Sequence, residues 1–412
     1  MTEAATGARR LLIRDLEQLA TPAGRASPLR GRELGAVDVI DGAYVLCRDG
    51  QIESVGRMRD LAAPEGEIEE LDGRGLCAIP GLVDCHTHAC FAGDRVEEFS
   101  LRAAGASYEE LHAAGGGILS TVRATRTAGE EGLHAAVRRH RRWMLRAGTT
   151  TFEAKSGYGL DRETELGSLR AIRDAGGVPT FLGAHAVSPE FEAADDYVDW
   201  LIREVLPDAA ALAEAADVFV ERGAFDVGHA RRYLTEAKRL GLALRLHADQ
   251  FTEAGGVQLA LELGARSVDH LEATRDEGVR ALGESDVAAV LLPASALFLN
   301  RPMPPARALV DAGAVVALAT DFNPGSAFCE SLPVVSTLAC TQLGLSPAEA
   351  LGACTVNAAH VLARAERKGR LAAGYDADVV LLDAPDWRYP AYHLAGDVVA
   401  AVIVDGETAW RR

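Results

Sequence analysis

Eight short apolar runs, spaced by longer stretches of helical period, constrain the fold of this 412-residue chain more than any other feature. The runs are Ala78–Cys85, Thr149–Ala154, Pro179–Ala184, Asp217–Val220, Ala243–Leu246, Ser267–Asp269, Val287–Leu292 and Ala314–Thr320. They are rich in Val, Leu, Ala and Thr and have strand length, whereas the segments between them carry apolar residues three and four apart, as amphipathic helices do. Eight strand–helix units over about 285 residues predict an α/β fold, a (β/α)8 TIM-like barrel whose functional face lies at the C-terminal ends of its strands. The polar residue that ends each run is then expected at one shared mouth.

Both flanks read as β structure. Ala43–Val55 carries two β-rich runs around Asp49-Gly50, a strong type I′ hairpin signal, and 376–383 and 398–406 are again strand and turn. We expect a small β-sandwich domain formed by both chain ends, residues 1–78 plus 366–412, beside a barrel of residues 79–365. At 48% hydrophobic residues the chain can bury a core of that size. No stretch approaches 18 uninterrupted apolar residues and the first ten residues hold no apolar signal core, so a soluble cytoplasmic protein without a membrane partner is expected. Seven scattered Cys with no Cys-x-x-Cys spacing argue against a disulfide framework or a zinc knuckle. A net charge of −18 argues against nucleic acid as a partner, although one well-placed Arg can still hold a small anion.

The strand ends carry the chemistry. The first run stops at His86-Thr-His88, whose imidazoles, two residues apart, point the same way and can grip one ion. The third run ends in His185, the fourth in Glu221, the fifth in His247, the sixth in His270 and the eighth in Asp321. His86, His88, His247 and Asp321 form a mixed nitrogen and oxygen donor set for one divalent or trivalent metal ion per subunit, zinc or iron, with room for a water. Such an ion lowers the water's pKa towards ~7, and Asp321 can take the proton as general base.

These residues carry a resemblance. Pro80-Gly-Leu-Val-Asp-Cys-His-Thr-His88, His247, His270, Asp321 and the terminal Gly374-Tyr-Asp-Ala-Asp-Val-Val380 resemble the metal-dependent amidohydrolase superfamily over nearly the whole chain. Within it, His86–Arg95, Gly115-Gly-Gly-Ile118 with Ser120–Arg126, Lys155-Ser-Gly-Tyr-Gly159, His247-Ala-Asp-Gln250 and Thr320–Ser326 are similar to the imidazolonepropionase family of histidine degradation. The resemblance implies hydrolysis of the cyclic amide of 4-imidazolone-5-propanoate to N-formimidoyl-L-glutamate, and so a small anionic imidazolone as ligand. It implies that Arg95 clamps the propionate, for which a planar guanidinium is suited. Tyr158 would hydrogen-bond the carboxylate or the ring, and His185 and His270 would orient or polarise the carbonyl or relay protons. Asn323, Gly325 and Ser326, on the loop after the eighth strand, would approach substrate or product. Glycines 115–117 would let a loop close over the site. A homodimer through barrel helices is compatible with the family and is left open.

Two departures narrow the reading. Binuclear amidohydrolases carry a modified Lys on the fourth strand, where this chain has Glu221, while Lys155 lies on the second; one metal is therefore favoured over two. Ring deaminases of the superfamily carry Glu three residues after the fifth-strand His to shuttle protons to the leaving amine, and here that residue is Gln250, which cannot transfer a proton that way. Gln250 is then a hydrogen-bonding residue towards substrate or water. A ring deaminase or another cyclic-amide hydrolase is the nearest competing reading, and a scaffold that has lost its metal the furthest.

Overall fold

The computed structural model of the chain describes residues 9–64, 66–105 and 116–412. It resolves into two compact units, one of Met1–Val83, Met144–Thr151 and Ser331–Arg412, the other of Asp84–Trp143 and Phe152–Glu330.

The strands are β1 (Arg10–Pro22), β2 (Val37–Arg48), β3 (Gln51–Arg57), β4 (Glu69–Asp72), β5 (Cys77–Pro80), β6 (Leu82–Asp84), β7 (Thr149–Lys155), β8 (Val178–Ala184), β9 (Ala215–Val220), β10 (Ala243–Ala248), β11 (Ser267–His270), β12 (Ala288–Leu291), β13 (Val315–Leu318), β14 (Val379–Leu382), β15 (Val399–Val404) and β16 (Glu407–Arg411). The chain ends make one sheet in the order β16-β15-β14-β5-β1-β2-β3, with β4 pairing to β1. A bulge between Ile13 and Leu16, with Asp15 at φ 57°, returns both to the same face despite their odd spacing. They join Leu11, Leu19, Val45, Ile52, Val379, Leu381 and Ile403 in one buried cluster.

The two hairpins of this sheet have the geometry the Asp-Gly signal demands, with φ of 48° and 83° at Asp49-Gly50 and 48° and 73° at Asp405-Gly406. Ala377 ties the two tips together, donating its N–H to the Gly50 carbonyl at 2.8 Å and accepting from Gly406 N at 3.0 Å. The expected sandwich is thus built from a single hydrogen-bonded sheet that curves back on itself.

The second sheet runs β13-β12-β11-β10-β9-β8-β7-β6, neighbours in sequence lying side by side. The pairings from β7 to β13 are parallel. First and last strands meet through a parallel bridge between Thr87 and Phe322, where Asp321 N donates to His86 O at 3.1 Å and His88 N to Phe322 O at 3.0 Å. Thr320 reinforces this seam by donating its hydroxyl to the buried Asp84 carboxylate at 2.6 Å. This is the TIM-like barrel expected from the eight runs, and its closure falls on the segments that carry His86, His88 and Asp321.

The run Ala78–Cys85 divides. Its first half pairs in the chain-end sheet as β5, and only Leu82–Asp84 enters the barrel as β6. Pro80 has no N–H for a ladder, and a Cβ on Gly81 would lie 2.3 Å from Thr150 Oγ1, so the chain turns at the one residue small enough to pass.

Candidate active site

Alternation along the barrel strands decides which side chains reach the interior. Glu153 and Lys155 on β7, Asp217 on β9, Arg245 and His247 on β10, and Asp269 on β11 are all buried. Five of them are charged, far more than an apolar barrel core would tolerate without mutual pairing.

Above this layer the predicted metal ligands converge. Nε2 of His86 and of His88 lie 3.5 and 3.4 Å from Oδ1 of Asp321, and Nε2 of His247 lies 3.2 Å from Nε2 of His88. Nε2 of His86 is fully buried and has no hydrogen-bond partner among the described residues. A buried nitrogen left orphaned beside facing imidazole nitrogens and a carboxylate is the donor arrangement that a cation completes. Two overlapping groups share His86: one with His88 and Asp321, the other with His247 and His270, their ligand atoms all within 4.8 Å. The structure thus brings His270, assigned from the sequence to carbonyl chemistry, as near to His86 and His247 as a ligand would be.

The imidazoles are held from behind. His86 Nδ1 pairs with Asp269 Oδ2 at 2.5 Å and His247 Nδ1 with Asp217 Oδ1 at 3.0 Å, which turns each Nε2 to the centre. Lys155 Nζ contacts both Asp217 (2.9 Å) and Glu153 (2.8 Å), and Glu153 accepts the N–H of Thr87, between the two histidines, at 3.0 Å. Burial and the Lys155 charge draw the His86 imidazole down, yet its bond to Asp269 and the facing Asp321 carboxylate carry it up to about 9. Burial draws His247 down to about 3 against the pull of Asp217. Burial would raise Asp321, but the facing imidazoles of His86 and His88 hold its carboxyl well below the usual range.

Sequence reading missed Asp217, Asp269, Glu153 and Arg245, although Lys155 stood in a quoted motif. The available signal was charge inside apolar runs: Asp217 in Ala-Asp-Val-Phe and Asp269 before His270. Strain marks the same rim, since His270, Leu271 and Asp321 have φ of 85°, 72° and 55°.

The other predicted residues surround this cluster. Tyr158 is buried, its ring centroid 5.9 Å from His88 and 5.3 Å from His185, and His185 stacks on His88 at 5.2 Å. Burial and the Asp321 charge raise the Tyr158 phenol, while the nearby Arg95 charge opposes them. The Arg95 guanidinium pairs with Glu98, at 2.8 Å through Nε, and lies so close to Gly325 that a Cβ there would sit 2.1 Å from it. Asn323 shapes the loop after β13, its amide accepting from Gly325 N (2.8 Å) and Ser326 N (2.7 Å) and donating to Asp321 O (2.6 Å). Ser326 Oγ donates to Asp321 Oδ2 at 3.4 Å. Gln250 is buried in the segment after β10. Glu221 turns away to the loop after β10, accepting from Phe251 N (2.8 Å) and Thr252 N (3.1 Å), as suits a loop anchor rather than a ligand. Of the glycine run, Gly115 lies outside the described residues, and Gly117 N donates to Glu98 at 2.7 Å.

Comparison with known proteins matches this geometry to a family. A sequence model of the amidohydrolase family matches residues 77–409. Curated proteins named imidazolonepropionase, from Rubrobacter xylanophilus and Herpetosiphon aurantiacus, are 64% and 46% identical to this chain, over 96% and 97% of it and 97% of each relative. Solved structures share the fold at low identity. An adenosine deaminase from Xanthomonas campestris with bound zinc superposes with a TM-score of 0.70 at 19% identity, over 97% of this chain and 92% of its own. A guanine deaminase from E. coli reaches 0.72 at 15% identity, over 98% and 99%. The chain belongs to the amidohydrolase family and, within it, to the imidazolonepropionases.

Proposed function

We propose that this protein hydrolyses the ring amide of 4-imidazolone-5-propanoate to N-formimidoyl-L-glutamate, with one metal ion held by His86, His88, His247 and Asp321. The observation that carries the reading is the orphaned, buried Nε2 of His86 among the facing donors of His88, His247 and Asp321, in a chain 64% identical to a protein named imidazolonepropionase. Zinc(II) and iron(II) both suit this donor set.

Bound there, the ion would acidify the attacking water and polarise the ring carbonyl. Asp321, kept ionised and oriented by Ser326 Oγ, takes the water proton as it attacks. The ring C–N bond then breaks and the proton passes to the leaving nitrogen, which stays tethered through its amidine carbon. His185 donates its Nδ1–H to the Gly157 carbonyl at 3.0 Å, so its neutral ring offers Nε2 as an acceptor. That suits holding a ring N–H better than polarising a carbonyl. Arg95 takes the propionate, and its pairing with Glu98 fixes the fork of the guanidinium.

The test is to follow loss of the imidazolone chromophore while assaying ammonia and formimidoylglutamate in parallel. One formimidoylglutamate per turnover without ammonia is expected; stoichiometric early ammonia would establish a deaminase instead.

A further inference from the structure

Glu165 is buried completely, on the helix Arg162–Asp174 that follows β7, and among the described residues its hydrogen bonds go to Ser156, Gly157, Gly159 and Leu160 rather than to the proposed metal donors. Its carboxylate instead collects backbone donors. Oε1 accepts the N–H of Gly157 (3.1 Å), Gly159 (2.8 Å) and Leu160 (2.9 Å), and Oε2 accepts Gly157 again at 2.9 Å. Two of these donors, Gly157 and Gly159, are the residues on either side of Tyr158. Gly157 carries the connection further, because its carbonyl accepts the Nδ1–H of His185.

Both glycines are required by this clasp. Gly157 has φ 105°, and a Cβ on it would lie 2.6 Å from Leu182 O and 3.1 Å from His185 Nδ1. A Cβ on Gly159 would lie 3.0 Å from Glu165 Oε1. On the outer side Arg126 Nε donates to Gly159 O at 2.7 Å. A buried carboxyl is costly, and three N–H groups aimed at one oxygen, together with the Ser156 side chain, offset part of the cost.

We propose that Glu165 is a positioning residue for the substrate, setting Tyr158 through the glycines on either side of it and His185 through the Gly157 carbonyl. The proposal rests on the reading that Tyr158 and His185 face the imidazolone. Glutamine at this position keeps the shape but replaces one acceptor with a donor that faces the Gly157 N–H, so the clasp opens on one side. The chemistry at Asp321 is left intact, and the effect falls on binding.

The experiment compares wild type with Glu165→Gln, Tyr158→Phe and His185→Asn, each as full-length metal-loaded protein. Metal content, kcat and KM for imidazolone propionate, and amide hydrogen exchange over residues 156–160 are measured. For Glu165→Gln we expect unchanged metal content, kcat within about threefold, KM raised about tenfold or more, and faster exchange at Gly157, Gly159 and Leu160. Glu165→Asp, which keeps the charge on a shorter arm, should fall between; it replaces Glu165→Gln should that variant not fold. If Tyr158→Phe and His185→Asn raise KM while Glu165→Gln and Glu165→Asp leave it at the wild-type value, the positioning role is overturned and the substrate reading stands. If none of the four moves KM, the substrate reading itself falls and the proposal with it.

Discussion

His247 shows how much a single side chain here depends on its neighbours. Asp217 fixes its Nδ1 and Lys155 fixes Asp217, so its Nε2 has one direction to face. His247→Ala should therefore lose metal as well as activity, and elemental analysis after gel filtration checks it; retained metal at wild-type stoichiometry would take β10 out of the donor set. Arg95 is held more loosely, by Glu98 and by the absence of a side chain on Gly325. Arg95→Ala should lower kcat/KM by about 2–4 kcal/mol in transition-state terms, as truncating one side of a desolvated charge pair does, with metal content unchanged. Gly325→Ala should act in the same direction through KM, because its methyl would occupy the place of the guanidinium. The imidazoles were readable as residue types at strand ends, and Arg95 only through the family resemblance. Asp217 and Asp269 were not, because a lone acid in an apolar run reads as a strand terminus until neighbouring strands show what it faces.

At the scale of elements, the helix Ile118–Arg146, which precedes β7, is docked through His140. Its ring stacks on Phe91 at 4.4 Å and its Nδ1–H donates to Ala89 O at 2.8 Å. Burial draws His140 down to about 4 from its ordinary 6.5. A base whose folded pKa lies below its unfolded value favours folding above pH 6.5, and that contribution is lost as pH falls towards 4. The full effect is on the order of 3 kcal/mol. His140→Gln should flatten the loss of stability between pH 6.5 and 4, measured by urea unfolding at several pH values; an unchanged slope would remove His140 as its source. Gly81 separates β5 from β6, and Gly81→Ala should destabilise the fold by about 1–3 kcal/mol by overpacking against Thr150 and Asp378, seen as a lower Tm. The apolar run around it looked like one strand, because Pro80-Gly81 marks a turn without saying that the halves enter different sheets.

Over the whole molecule, three of the four proposed metal donors, His86, His88 and Asp321, sit on the seam where the last barrel strand meets the first and His247 reaches them from β10, so occupancy should be felt by the entire barrel. Removing the ion with a chelator should abolish activity and lower Tm, since a ligand at a hundredfold excess over its Kd contributes about 2.7 kcal/mol to stability. Returning zinc(II) or iron(II) should restore both, and calorimetry of the apo and reloaded protein checks it. An unchanged Tm on full depletion would mean that the donors do not hold an ion across the seam.

The order of eight apolar runs, their lengths and the chain-end hairpins are local properties, set by side-chain period and turn chemistry, and for that reason the barrel and the chain-end domain were legible without coordinates. So were His86, His88, His247, His270 and Asp321, because a strand end in a parallel barrel has only one face to serve. Which carboxylate turns which imidazole, that Lys155 joins Glu153 and Asp217, that Glu221 anchors a loop, and that Glu165 clasps the peptides around Tyr158 were decided only in three dimensions. Except for the Glu165 clasp and the Lys155–Glu153 pair, two residues apart on β7, these contacts join residues about 30 or more apart, on strands whose register no local pattern specifies. Glu165 lies only five to eight residues from its partners, but its burial depends on the barrel wall formed around it.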